Sequence, residues 1–127
     1  MWVYEQSTGR IHNGDGVHIA AGYAGGNCGK NPDGVNNPAM QDQACIGPLP
    51  CHIYSAGTPE DHTHLGPFAV PLIPDPSDPS DMFGRSGFFM HGDTSAMNHS
   101  ASEGCVITAR SVREAFVASG EQIQVVP

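Results

Sequence analysis

The spacing of apolar positions changes along the chain, and each change marks an element. In WVYEQ, Trp2 and Tyr4 recur at a spacing of two, the signature of a half-buried opening strand. STG makes a turn and RIHNGDG ends in another, so VHIAAGYAG reads as the second strand of a hairpin. From Gly25 to Pro50 the periodicity disappears. A loop of that length is usually functional or clipped by a crosslink, and Cys28 and Cys45 lie inside it.

CHIYSAG predicts a short strand, and THLGPFAVPLIP a further apolar segment interrupted by Pro71. PDPSDPSD has no core-forming residue and reads as a polar loop. In GRSGFFMHG the run Phe88-Phe89-Met90 is continuously apolar, which predicts a buried strand. CVIT is short and β-branched, and QIQVV closes the chain as a strand. One helix is expected late. Ser111 serves as N-cap with Glu114 three residues on, completing a capping box. Val112, Ala115, Phe116 and Ser119 then share a face, and Gly120 stops the helix. The prediction is a mainly β fold with one short helix near the C-terminus, in a single domain over residues 1–127.

Composition narrows this picture. A chain of 127 residues supports one domain with a modest core. Sixteen glycines and eleven prolines favour short strands and many turns over a helical bundle. Thirteen acids against five bases leave a net charge of −8, which lacks the basic face that nucleic acid or anionic lipid requires. No window reaches the ~18–20 apolar residues of a membrane span, so no membrane insertion is expected. MWVYEQSTGR has neither a basic n-region nor an apolar h-region, so no Sec signal peptide is expected. Of the four cysteines, none forms a CxxC pair. With Cys105 kept as a thiol, Cys28, Cys45 and Cys51 allow one disulfide, and the even total allows two. A disulfide implies an oxidising compartment.

The chemistry gathers in HGDTSAMNHSASEGC. His91 leaves one apolar segment, a polar stretch follows, and Cys105 enters the next. Adjacent strands joined this way bring an imidazole beside a thiol, which is what a cysteine nucleophile and its base need. Gly104 permits close approach of a substrate, and the N–H groups of Gly104 and Cys105 are a candidate oxyanion hole. On spacing alone, Cys105 is equally a small buried hydrophobe. His99 is a rival base, in a loop where a solvated histidine is ordinary. Asp93 either orients His91 or caps the turn, and Arg85 either pairs with Asp93 or contacts substrate. His91, His99 and Cys105 supply zinc-ligand types without a zinc-site spacing, and the HxH pair His62 and His64 is either a further set of ligands or, the preferred reading, solvated. No metal or other cofactor is expected.

His91-Gly92 followed by Ser102-Glu103-Gly104-Cys105, with histidine and cysteine fourteen positions apart, resembles the signature of L,D-transpeptidase (YkuD-like) catalytic domains. Gly22-Tyr23-Ala24-Gly25, Gly29-Lys30-Asn31-Pro32, Gly47-Pro48-Leu49-Pro50 with Tyr54, and Gly84-Arg85-Ser86-Gly87-Phe88 extend the similarity over nearly the whole chain. Together they resemble the type VI secretion effector branch with L,D-transpeptidase and L,D-carboxypeptidase activity. The resemblance implies an L,D-transpeptidase-like β-sandwich or barrel. It also implies that Cys105 attacks the L,D bond before the terminal D-Ala of a peptidoglycan tetrapeptide stem. A thioester forms and is resolved by water or an amine. His91 is then general base and later general acid, a backbone carbonyl near Gly92 orients its ring, and Ser102 shapes the pocket. Toxicity in a rival's periplasm and a cognate immunity protein follow from the same resemblance, with phage or housekeeping wall remodelling as the alternative biology.

The chain departs from the family in three places. Ile107 stands where typical members carry Arg or Asn, which leaves Arg85, Arg110 and Arg113 as candidates for the stem carboxylate. His52 replaces a Gly before Tyr54. Cys28, Cys45 and Cys51 look like local additions that favour a stapled loop. A non-catalytic wall-binding module would need an aromatic platform, and the chain has only five Phe, three Tyr and one Trp.

Overall fold

Short apolar runs punctuated by glycine and proline give ten short strands and one α-helix among the described residues, 1–93 and 104–127 of this computed structural model. The strands are β1 (Trp2–Glu5), β2 (Arg10–His12), β3 (His18–Ala21), β4 (Tyr23–Ala24), β5 (Ile53–Ala56), β6 (Glu60–His62), β7 (Gly66–Pro74), β8 (Phe89–His91), β9 (Val106–Ile107) and β10 (Ile123–Val126). The helix is α1 (Arg110–Ser119). The sheet runs β3-β2-β1-β10-β5-β7-β8-β9-β4, with β6 beside β7. It is mixed: β1 with β10 and β8 with β9 are parallel, and the other pairs are antiparallel.

Side chains alternate across a strand, so matched alternation selects matched register. Trp2 lies opposite Ile123 and Tyr4 opposite Val125, and all four are buried. The core continues through Tyr54, Val70, Leu72, Phe88, Met90 and Phe116, with the Trp2 and Phe116 rings 5.3 Å apart. α1 packs over β7 and β8 and covers this core at the end that carries His91.

The two ends of the strand order, β3 and β4, are consecutive in the chain with only Gly22 between them. The sheet therefore curls round towards closure. Gly22 N–H donates to the Gly9 carbonyl at 2.7 Å. A Cβ on Gly22 would run into the Ile107 carbonyl, so this junction requires glycine.

Three expectations are corrected here. VHIAAGYAG is two strands, because the chain changes partners at Gly22: β3 pairs β2, and β4 pairs β9. The helix begins at Arg110 with Ala109 as N-cap, so Ser111 is not the cap. Thr108 N–H donates to the His91 carbonyl at 3.0 Å, which holds the chain extended until Ala109, and the helix starts as soon as it leaves the sheet. Glu114 lies 4.0 Å from Arg110 on the exposed face. Gly120 does end the helix, at φ 68°.

The third concerns the long loop. No disulfide is formed among the described residues, which include all four cysteines. The loop is held instead by two 3-10 turns, Pro32–Gly34 and Pro38–Met40, and by hydrogen bonds. Gly26 N–H donates to the Ile46 carbonyl at 2.7 Å, and buried Gln6 donates from Nε2 to the Leu49 carbonyl at 2.8 Å. Cβ atoms on Gly34 or Gly47 would strike the carbonyls of Ile46 or Met40, so the loop packs backbone against backbone.

Candidate active site

The parallel pairing of β8 with β9 builds the site. Met90 lies opposite Val106 and His91 opposite Ile107, so Cys105, one residue before β9, falls opposite Phe89. The Phe89 N–H donates to Cys105 Sγ at 3.3 Å, which fits that register. Paired residues of parallel strands share a face, and residues two apart on one strand share it too. Cys105, Phe89 and His91 therefore face one side while Met90 and Val106, both buried, face the core. Of the run Phe88-Phe89-Met90, Phe89 is thus only half-buried, because alternation turns it to the site.

Cys105 and His91 line a single cleft of about 730 Å³, with Phe89, His62, Leu65 and Arg85 among its walls. His91 is 2% exposed. Its Nδ1 lies 2.9 Å from the Gly92 carbonyl. A carbonyl only accepts, so Nδ1 carries the proton and Nε2 the lone pair. Nε2 is buried and has no hydrogen-bond partner among the described residues. Burial pushes the imidazole below its ordinary value of 6.5. The charges of Arg113 and His62 add to this, while the Gly92 carbonyl and Asp93 oppose it. The result is a neutral imidazole with a basic nitrogen available, the state a general base needs.

Gly104 has φ +134°. A Cβ there would come within 2.6 Å of Arg85 Nη2 and 2.9 Å of Phe88, so only glycine lets Cys105 follow at this place. Its carbonyl accepts from Leu49 N–H at 2.9 Å, which ties the long loop to the residue before the thiol. Arg85 is 8% exposed and donates from Nη1 to the Gln41 and Pro48 carbonyls at 2.6 and 2.7 Å. From Nη2 it donates to the Gly47 carbonyl at 3.1 Å, and its guanidinium stacks over Phe88 at 5.2 Å. A thiolate at Cys105 favours the charged guanidinium, and that attraction is reciprocal.

The remaining residues singled out in the sequence divide. Asp93 accepts from the Tyr23 hydroxyl at 2.6 Å, which fastens the turn after β8 to β4. Gly92 supplies the carbonyl that fixes the His91 ring. Arg110 is exposed and sits over the Phe68 ring at 5.4 Å. His52 is buried where β5 begins, 3.1 Å from the Asp75 carbonyl through Nε2, away from the cleft. Ser102 and His99 lie outside the described residues. Among the described residues no group of three His, Cys, Asp or Glu is placed to hold a metal ion.

His62 and His64, expected in solvent, both line the cleft, and neither is buried. His64 is exposed, whereas His62 is half-buried and packs edge-on against Phe89 at 5.4 Å. Its Nδ1 accepts the N–H groups of His64 and Leu65 at 3.0 and 3.1 Å. The only signal for this was the HxH spacing. The polar segment β6 that carries His62 has no apolar pattern to announce it. Cys28 and Cys45, which the sequence marks only as loop cysteines, line the same cleft.

The fold is mainly β, with a mixed sheet and one helix near the C-terminus. Residues 24–126 match the family model of the Tlde1 domain, and the chain belongs to that family, a family of type VI secretion effectors and antibacterial toxins. β1 to β3 precede the matched region, yet β1 supplies the parallel partner of β10 inside it. No curated protein matches the chain. Membership fits secretion and action in target cells, and no helix of the described residues is long and apolar enough to cross a membrane.

Proposed function

We propose that the protein is a cysteine acyl-transfer enzyme that acts on peptidoglycan tetrapeptide stems. The observation that carries this reading is the β8–β9 register, which sets Cys105 and His91 on one face of one cleft with the histidine held by Gly92 and its Nε2 exposed to no other partner among the described residues. Nε2 removes the thiol proton, and the thiolate attacks the carbonyl of the bond that joins the stem's third residue to its terminal D-Ala. The tetrahedral oxyanion collapses to a thioester as D-Ala leaves, taking the proton from His91. Water then releases a tripeptide, or an amine takes the acyl group. The Gly104–Cys105 backbone is the candidate oxyanion-binding element, since it is the peptide unit next to the nucleophile and faces a cationic guanidinium.

Family membership supports antibacterial delivery, and the periplasm of the target cell is where this substrate lies. A producing cell then needs a cognate immunity protein that blocks the cleft. Incubation with tetrapeptide muropeptides tests the reaction. Wild-type protein releases D-Ala or exchanges it for an added D-amino acid, and Cys105→Ala and His91→Ala do neither. Absence of release and exchange by the wild-type protein, or equal turnover by Cys105→Ala, would sink the proposal.

A further inference from the structure

The start of α1 lacks what normally completes a helix N-terminus. Its N-cap is Ala109, which has no side-chain acceptor, and its first turn holds no acid. The first N–H groups of a helix and the positive end of its dipole attract an anion. Here the nearby side chains are cationic instead: Arg110 and Arg113 are two of only five basic residues in a chain of net charge −8.

Arg113 is 5% exposed. Its Nη1 makes two long contacts, 3.4 Å each, to the carbonyls of Pro67 and Phe68, and its Nε is buried with no partner. No carboxylate pairs with it among the described residues. A buried guanidinium so weakly compensated is costly unless something else satisfies it. Two residues before α1 begins, Thr108 is 6% exposed with its Oγ1 also buried and without a partner. Both side chains line a recess of about 540 Å³ into which the N-terminus of α1 opens. Gly92 and Asp93 line this recess and the cleft of Cys105 alike, so the two are separated by one turn of chain. The Asp93 carboxylate in this shared wall is engaged by the Tyr23 hydroxyl.

We propose that this recess is a carboxylate site: the N-terminus of α1, the Nε edge of Arg113 and the Thr108 hydroxyl bind a carboxylate of the peptide whose carbonyl Cys105 attacks. The identity of that peptide rests on the function proposed above, whereas binding of a carboxylate does not. The Nε–Nη edge of a guanidinium matches the two oxygens of a carboxylate, a phosphate is bulkier, and a neutral amide lacks the charge.

The test uses isotopically labelled Cys105→Ala protein, which binds without turnover, and follows the arginine Nε–H signals by NMR. N-acetyl-D-alanine, N-acetyl-D-alaninamide and inorganic phosphate are titrated separately. The acid shifts the Arg113 signal saturably, the amide leaves it in place, and phosphate binds more weakly than the acid. Adding Arg113→Lys or Thr108→Val weakens binding of the acid by roughly tenfold, the scale of one lost charge-assisted hydrogen bond. Thr108→Val keeps the side-chain volume, so a well-folded variant is in hand should Arg113→Lys fold poorly. An unmoved Arg113 signal, an equal response to the amide, or tighter binding of phosphate would overturn the assignment. Saturable binding beside absent D-Ala release would remove the proposed reaction and leave the site. Turnover without any such binding would do the reverse.

Discussion

Arg85 and Arg113 are both buried, and each lines a cavity on one side of the same His91–Asp93 turn, yet their surroundings are opposite. Arg85 donates to three carbonyls at 2.6 to 3.1 Å and stacks on Phe88. Arg113 has two contacts at 3.4 Å and an Nε with no partner. Burial pushes both guanidinium groups down from their ordinary value, but neither comes near losing its charge at physiological pH. The difference is therefore one of use. Arg85 spends its donors on the loop that forms the wall beside Cys105, and Arg113 keeps donors in reserve beside an uncapped helix end.

The largest expected effect breaks the structural side of this comparison. Arg85→Gln leaves three loop carbonyls without their donor and lowers unfolding free energy by about 3 kcal/mol, roughly one per carbonyl, as urea denaturation would measure. Arg113→Gln changes stability by less than about 1 kcal/mol, because little is lost. It instead raises KM for a tetrapeptide stem by roughly tenfold with a smaller change in kcat, the pattern of lost ground-state binding. Equal stability losses in the two variants would contradict the contrast.

A pH profile sharpens it further. In the proposed reaction His91 must be neutral to act as base, and its folded value lies below 6.5, so activity is expected to fall only as pH drops through that lowered value. Removing the Arg113 charge relieves repulsion of the imidazolium, so Arg113→Gln moves the acidic limb of kcat/KM upward. The same group affects stability. The unfolded chain protonates His91 more readily, so its contribution is intact above 6.5 and is lost as pH falls through the folded value. The smallest effect is at Ser111. An N-cap serine replaced by alanine costs about 1 kcal/mol, whereas Ser111→Ala, inside the first turn, changes stability by no more than about 0.3 kcal/mol.

The elements legible in the sequence are those whose pattern is local. WVYEQ and QIQVV alternate and pair in parallel, and Gly120 stops α1 in the left-handed conformation that glycine favours. The juxtaposition of His91 and Cys105 was also legible, because apolar residues on the inner side of each force them into neighbouring strands. What was not legible depends on contacts distant in sequence. Gly22 splits a continuous apolar run only because Ile107 packs against it. The helix starts at Arg110 because the sheet pairing of Thr108 with His91 holds the chain extended only as far as Ala109. His62 reaches the cleft through a polar strand that pairs with β7. Arg85 and Arg113 look alike in the sequence, and only their partners separate the loop clamp from the proposed ligand site.

In the proposed reaction Cys105 carries the acyl group. Acid-quenched wild-type protein incubated with a tetrapeptide stem and weighed intact by mass spectrometry tests this most directly. The expected result is a mass gain equal to the stem lacking its terminal D-Ala, mapped to Cys105, discharged by hydroxylamine and absent from Cys105→Ala. Release of D-Ala with no adduct in the wild-type protein and undiminished release by Cys105→Ala would contradict it.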